Sequence, residues 1–181
     1  TWKLADFQDW LTEYPDNFYG LYEVAVAAVE AGDFSQAEKM LKRIRDAYPD
    51  YVDGGNVYEL LARVYRETDQ PLKEIEVLET VAERNAGALP AFQRLLDLHI
   101  AAENWSAVAA NARRVTDIDP YQLAPYRSLA RAAEALNDPR QAIYAYERML
   151  ELDSEDPAGA HYHLACLYKT TKPEIAWRHV L

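Results

Sequence analysis

Apolar residues recur along this chain at steps of three and four, and that recurrence itself repeats. In 126–136, Tyr126, Leu129, Ala130 and Ala133 fall on one face of a helix. After Asn137, Asp138 stands where it can cap a second helix, and Pro139 suits the first helical position, where its missing N–H forfeits no bond. That second helix runs through Ala142, Tyr146 and Met149 to Leu152, then stops in the acidic stretch 153–156 before Pro157. No window alternates with period two for long enough to predict a strand, so the pattern predicts an all-α fold.

The period is 34 residues: it separates Pro15 from Pro49, Tyr65 from His99, Ala62 from Leu96, Leu96 from Ala130, and Pro139 from Pro173. Five first helices are predicted, near 17–31, 54–68, 88–102, 122–136 and 157–170. Four second helices follow, near 34–48, 71–85, 105–117 and 139–152. Residues 3–14 read as the second helix of a preceding pair, and 173–181 as the start of another. The chain thus divides into units 17–53, 54–87, 88–121 and 122–156, with partial units 1–16 and 157–181, all within one repeat domain. It reads as a slice of a longer protein. A lone helix pair cannot bury its apolar face, so neighbouring units must stack, and a uncovered outer face at either end offers a route to end-to-end self-association.

Several segments carry a family resemblance. In VYELLARVY the relevant residues are Tyr58, Leu61, Ala62 and Tyr65; in PYRSLARAA, Tyr126, Leu129, Ala130 and Ala133; in HYHLACLY, Leu164, Ala165 and Tyr168. GDFSQAEKMLKRI contributes Gly32, Phe34, Ala37, Leu41 and Ile44. This pattern resembles the tetratricopeptide repeat, a helix-turn-helix unit of about 34 residues. The resemblance implies a right-handed superhelical solenoid of antiparallel helix pairs, about five units with a partial pair at each end. It also implies a concave side, lined by the first helices, that holds an extended or helical peptide. Three departures stand out: Leu96 where a small residue is usual, Glu74 where alanine is usual, and YVDGG at 51–55, which lengthens one connection and widens the expected bend near residue 53. Some members of the family clamp acidic chaperone tails with a lysine and an asparagine in the first unit. Tyr22 and Val26 stand at the matching positions, so the resemblance does not extend to that activity.

Steps of four and three place one row per first helix on the face opposite the core. The candidate groove residues from these rows are Tyr22, Glu59, Arg63, Arg66, Gln93, Asp97, Arg127, Arg131, Tyr162 and Lys169, with Val26, Val29, Ile100, Glu134 and Cys166 completing the rows. Five of the row residues are cationic and three anionic, in a chain of net charge -11. Guanidinium groups bind carboxylates bidentately, so a protein or peptide with acidic groups is the expected partner. The alternative is structural: Asp97 can bridge Arg63 and Arg131 in a salt-bridge ladder, Glu59 can pair with Arg63, and Glu30 and Glu67 on the rim bring the count to five against five. The patch of Tyr19, Tyr22, Val26 and Val29 is open to two readings as well, contact with a partner or cover by the helix at 3–14.

Composition narrows the function. Half of the residues are hydrophobic and 27% charged, the balance of a folded domain. No run approaches the ~18 apolar residues of a membrane span, so a soluble chain without membrane insertion is expected, its compartment open. The acidic balance argues against nucleic acid as a partner. It is uneven: residues 1–90 hold nine basic and eighteen acidic residues, 91–181 ten and twelve. A single cysteine, Cys166, allows no intrachain disulfide. Four histidines, His99, His161, His163 and His179, carry no motif. His161 and His163 lie two apart on a helix, roughly 200° around its axis, and cannot share a metal as an i, i+4 pair can. His99 falls at a core-facing position. Neither a phosphate-binding loop nor a dinucleotide fingerprint is present, so no catalytic residue, metal or cofactor is expected. The reading is a non-catalytic scaffold for protein–protein interaction. The alternative is a repeat module of a larger enzyme or cell-envelope protein, orienting or regulating a domain outside residues 1–181.

Overall fold

The computed structural model describes residues 4–50, 57–152 and 156–180. The lengthened connection at 51–55 and residues 153–155 of the acidic stretch lie outside them. Every element among the described residues is a helix: α1 (Leu4–Glu13), α2 (Phe18–Ala31), α3 (Phe34–Ala47), α4 (Val57–Glu67), α5 (Pro71–Arg84), α6 (Leu89–Ala101), α7 (Trp105–Ile118), α8 (Leu123–Ala135), α9 (Pro139–Glu151), α10 (Pro157–Tyr168) and α11 (Pro173–Arg178). The predicted helices fall on these ranges. Two compact units result, residues 1–91 and 92–181.

As expected, Asp138 caps its helix and Pro139 opens it, and the same signals recur: Asn17, Asp33, Asn104, Asp138 and Asp156 each accept a hydrogen bond from the backbone N–H three residues on, and Pro71, Pro139, Pro157 and Pro173 open their helices. The turn inside each of the four complete pairs closes the same way. Gly32, Asp69, Glu103 and Asn137 take a left-handed conformation, with φ of 76°, 53°, 52° and 55°. The next residue then donates its N–H back to a carbonyl near the helix end: Asp33 to Ala28, Gln70 to Tyr65, Asn104 to His99 and Asp138 to Ala133. This is a Schellman closure, which satisfies carbonyls the helix leaves orphaned.

In the first unit, α1 packs on α2, α2 on α3, α3 on α4 and α4 on α5. Leu21, Ala25, Ala37, Leu41, Ile44, Leu61, Ala62 and Leu78 are buried in its core. Gly20 lets α1 approach: a β-carbon there would meet Leu11 Cδ2 at 2.9 Å. Val29 is buried and Val26 half-buried, while Tyr19 stays 68% exposed, so only part of that apolar patch is covered. Glu74, which breaks the family pattern, is fully buried on α5. Its carboxylate accepts a hydrogen bond from Arg66 Nε on α4 at 3.0 Å. A buried charge needs such a partner.

In the second unit, α7 packs on α8, α8 on α9, α9 on α10 and α10 on α11. Val108, Ala112, Tyr126, Leu129, Ala130, Ala133, Ala142, Tyr146 and Leu164 share one apolar cluster with Leu96. The runs of alanine on α8 and α9 permit the close helix contact that larger residues would prevent. His99 is buried, as its register position predicts.

Candidate protein-binding site

The candidate groove residues separate by unit. In the first, Tyr22 is half-buried and its ring stacks on Phe18, centroids 5.9 Å apart and planes at 8°. Glu59, Arg63 and Arg66 lie exposed along α4, and the Arg66 guanidinium is engaged by Glu74. In the second, Gln93 donates to Gln122 at 2.9 Å, and Gln122 in turn donates to Asp119 at 2.7 Å, so the Gln93 amide is tied to the turn that precedes α8. Asp97 is exposed on α6.

Arg127 and Arg131 come together. One helical turn apart on α8, both line a pocket of about 210 Å³ with Tyr146 and Met149 of α9 and Asp156, Gly159, Ala160 and His163 at the start of α10. The carboxylates nearby are already bonded. Asp156 accepts from the Gly159 N–H at 2.8 Å as the α10 cap, and Glu134 meets His163 Nδ1 at 2.8 Å across α8 and α10. The Tyr146 hydroxyl is pushed well above the ordinary tyrosine value, first by burial and then by the Glu134 carboxylate. The His163 ring lies flat on Tyr146, centroids 4.7 Å apart, which fixes the pocket wall. The Arg131 guanidinium lies over the Trp105 ring, its Cζ 5.7 Å from the centroid, a cation–π contact through the flat face of the fork. Among the described residues, neither Arg127 nor Arg131 has a carboxylate partner.

Tyr162 and Lys169 also come together, in a different cavity. With Ala165 and Cys166 on the same helix, they face Pro173, Ala176, Trp177 and Val180 of α11 and its end across an apolar cleft of about 440 Å³. Tyr162 is 67% exposed and Trp177 66%. The adjacent histidines diverge as their angular separation requires: His163 turns to α8, whereas His161 turns to α11 and places its Nδ1 2.8 Å from Nδ1 of His179.

Sequence reasoning did not find the pocket wall. Tyr146, Met149 and His163 come from two helices beyond the arginines, and the periodic pattern marks them only as core or as an unassigned histidine. The small pair Gly159–Ala160 at the mouth is the one local signal that a space opens there. Among the described residues, no three or more His, Cys, Asp or Glu side chains gather as a metal would require. Among them too, no helix is long and apolar enough to cross a membrane.

Residues 19–51 match the tetratricopeptide repeat family. No curated protein matches the chain. A crystal structure of the MamA protein is 18% identical, spans 88% of this chain and 86% of its own, and superposes with a TM-score of 0.58. MamA 41-end from Desulfovibrio magneticus RS-1 is 17% identical over 83% of each chain, with a TM-score of 0.58. YrrB, described as a tetratricopeptide protein with an unusual peptide-binding site, is 12% identical over 98% of this chain and 90% of its own, with a TM-score of 0.64. At these identities the likeness is one of fold. The family match thus covers one tetratricopeptide repeat, at 19–51, and what the chain shares with these solved structures is their fold of antiparallel helix pairs.

Proposed function

We propose that the chain is a non-catalytic scaffold that holds an acidic segment of a partner protein, and that Arg127 and Arg131 anchor it. The observation that carries this reading is the pocket beside α8. Among the described residues its two guanidinium groups have no carboxylate partner, while Asp156 and Glu134 are engaged. Two forks one turn apart suit a carboxylate, which each can bind through parallel N–H donors. Met149 and the Tyr146 ring supply an apolar floor for the stem of a Glu or Asp side chain. The peptide-binding site named for YrrB, a protein of the same fold, adds support by analogy. In the first unit, Arg63 is the exposed cation that would serve an acidic partner separately; Arg66 contributes less because Glu74 holds it.

The test is fluorescence anisotropy with a labelled Asp/Glu-rich peptide and its Asn/Gln counterpart, on the natural chain and on Arg127→Glu/Arg131→Glu. Binding of the acidic peptide alone, weakened about ten- to a hundredfold in the variant at unchanged helicity, is expected for loss of charged hydrogen bonds. Equal binding of the two peptides, or equal binding by the two proteins, overturns it.

A further inference from the structure

α11 (Pro173–Arg178) packs on α10. Ala176 is its buried apolar anchor. The polar anchor lies at its C-terminal end, where His179 makes two contacts. Its Nδ1 lies 2.8 Å from Nδ1 of His161 on α10. Its ring stacks on Tyr168, planes at 6°. Tyr168 in turn donates its hydroxyl to Glu147 of α9 at 3.0 Å, and Lys172 Nζ lies over the Tyr168 ring, 5.8 Å from its centroid. The 162–180 side of this contact builds the apolar cleft, since Pro173, Ala176, Trp177 and Val180 form one of its walls.

Two imidazoles can bond through facing Nδ1 atoms only when one carries a hydrogen there and the other does not. A neutral pair meets this condition, and so does a pair that has gained one proton. A pair that has gained two does not, because both facing nitrogens are then donors and two cations stand in contact.

We propose that His161 and His179 form a proton-operated latch: while they share a hydrogen α11 stays on α10, and when both are charged α11 lifts away and the cleft loses its second wall. The surroundings set the direction. Charged or titratable groups facing the pair are Tyr168 on α10, Glu147 on α9 through Tyr168, and Lys172 in the connecting turn; Glu174 and Arg178 belong to α11 itself. Burial, and then the neighbouring His161, hold the His179 pKa below the ordinary 6.5, with Glu147 opposing. The docked helix therefore binds fewer protons than the free one. Docking is complete above about pH 6.5 and is lost as the pH falls through the lowered value.

Amide and histidine ring signals of the 181-residue chain, followed by NMR from about pH 7.5 to about pH 5, test the latch. Amides of α11 should lose helical shifts and exchange protection several-fold as the second histidine titrates, while those of α8 and α9 hold. In His161→Phe/His179→Phe, which keeps two stacking rings and removes both protons, α11 order should be flat across the range. His161→Asn retains a neutral hydrogen-bonding side chain opposite His179, so its pH response should be smaller than that of the natural chain. If α11 amides stay in place through both histidine titrations, or if the Phe pair shows the natural response, there is no latch.

Discussion

Glu74, 1% exposed on α5, takes its charge partner from Arg66 on α4 at 3.0 Å. Alanine is the usual residue at this repeat position, so the pair is a local replacement of apolar packing by a half-exposed ion pair. Removing only the arginine leaves a buried carboxylate with one partner fewer, and Arg66→Ala should cost about 1–3 kcal/mol. Glu74→Ala in that background should recover most of the loss. Urea unfolding of the two variants checks this, and a double variant no more stable than Arg66→Ala contradicts it.

Glu103 sits at φ 52° in a turn where its counterpart Gly32 is free of the steric cost. Glu103→Gly should therefore stabilise the chain by about 0.5–1 kcal/mol, the left-handed strain less the added freedom of the unfolded state. Asn137→Gly should gain less, because asparagine tolerates this conformation. Gly32→Ala, with open space around the new methyl, should lose about 1 kcal/mol from backbone strain alone. Thermal midpoints in that order support the account.

Glu38 ties three helices. Its Oε1 lies 2.6 Å from Lys42 Nζ on its own helix, 3.7 Å from Lys73 Nζ on α5, and accepts the Tyr65 hydroxyl of α4 at 3.3 Å. The hydrogen bond from Lys42, with help from both lysine charges and against burial, holds the Glu38 carboxyl below its ordinary 4.5. The same bond raises Lys42 above its ordinary 10.5. The carboxylate stabilises the fold above 4.5 and loses that contribution as acid titrates it; the lysine contributes below 10.5 and loses it in alkali. Glu38→Gln should lower the urea midpoint most near neutral pH, with the gap closing toward pH ~3. A gap constant down to that pH would remove charge as the cause.

Glu134 lies behind the arginine pocket, bonded to His163. Glu134→Gln keeps an acceptor for His163 and deletes one negative charge. An acidic peptide held by Arg127 and Arg131 should then bind about two- to fivefold more tightly, the size of one screened charge interaction. Anisotropy titrations at two salt concentrations check it, since the gain should shrink at the higher one.

The helices were legible because each leaves a local mark: Pro71, Pro139, Pro157 and Pro173 at the starts, Asp33 and Asp138 as caps, and a buried face at steps of three and four. The side-chain partners were not. Arg66 reads as a groove residue from its register, yet Glu74, eight residues on, turns it toward α5. His161 and His163 read as a pair without a shared role, and each has a partner the period cannot give, His179 in one case and Glu134 in the other. Periodicity reports which face of a helix is covered. Which atoms meet depends on how neighbouring helices cross, and that is not written in any single segment.

The four left-handed turns also decide where the chain can change length. One residue added between Gly32 and Phe34, or at 102–104 or 136–138, would turn the following helix by about 100° and carry Ala37, Val108 or Ala142 off its buried face. Among the described residues, the joints between pairs hold no residue of positive φ. At 119–122, Tyr121 is 80% exposed, and a graft there leaves both flanking hairpins intact. The sequence is thus punctuated into fixed words and elastic spaces, and a reporter, an epitope or a new loop belongs in the spaces.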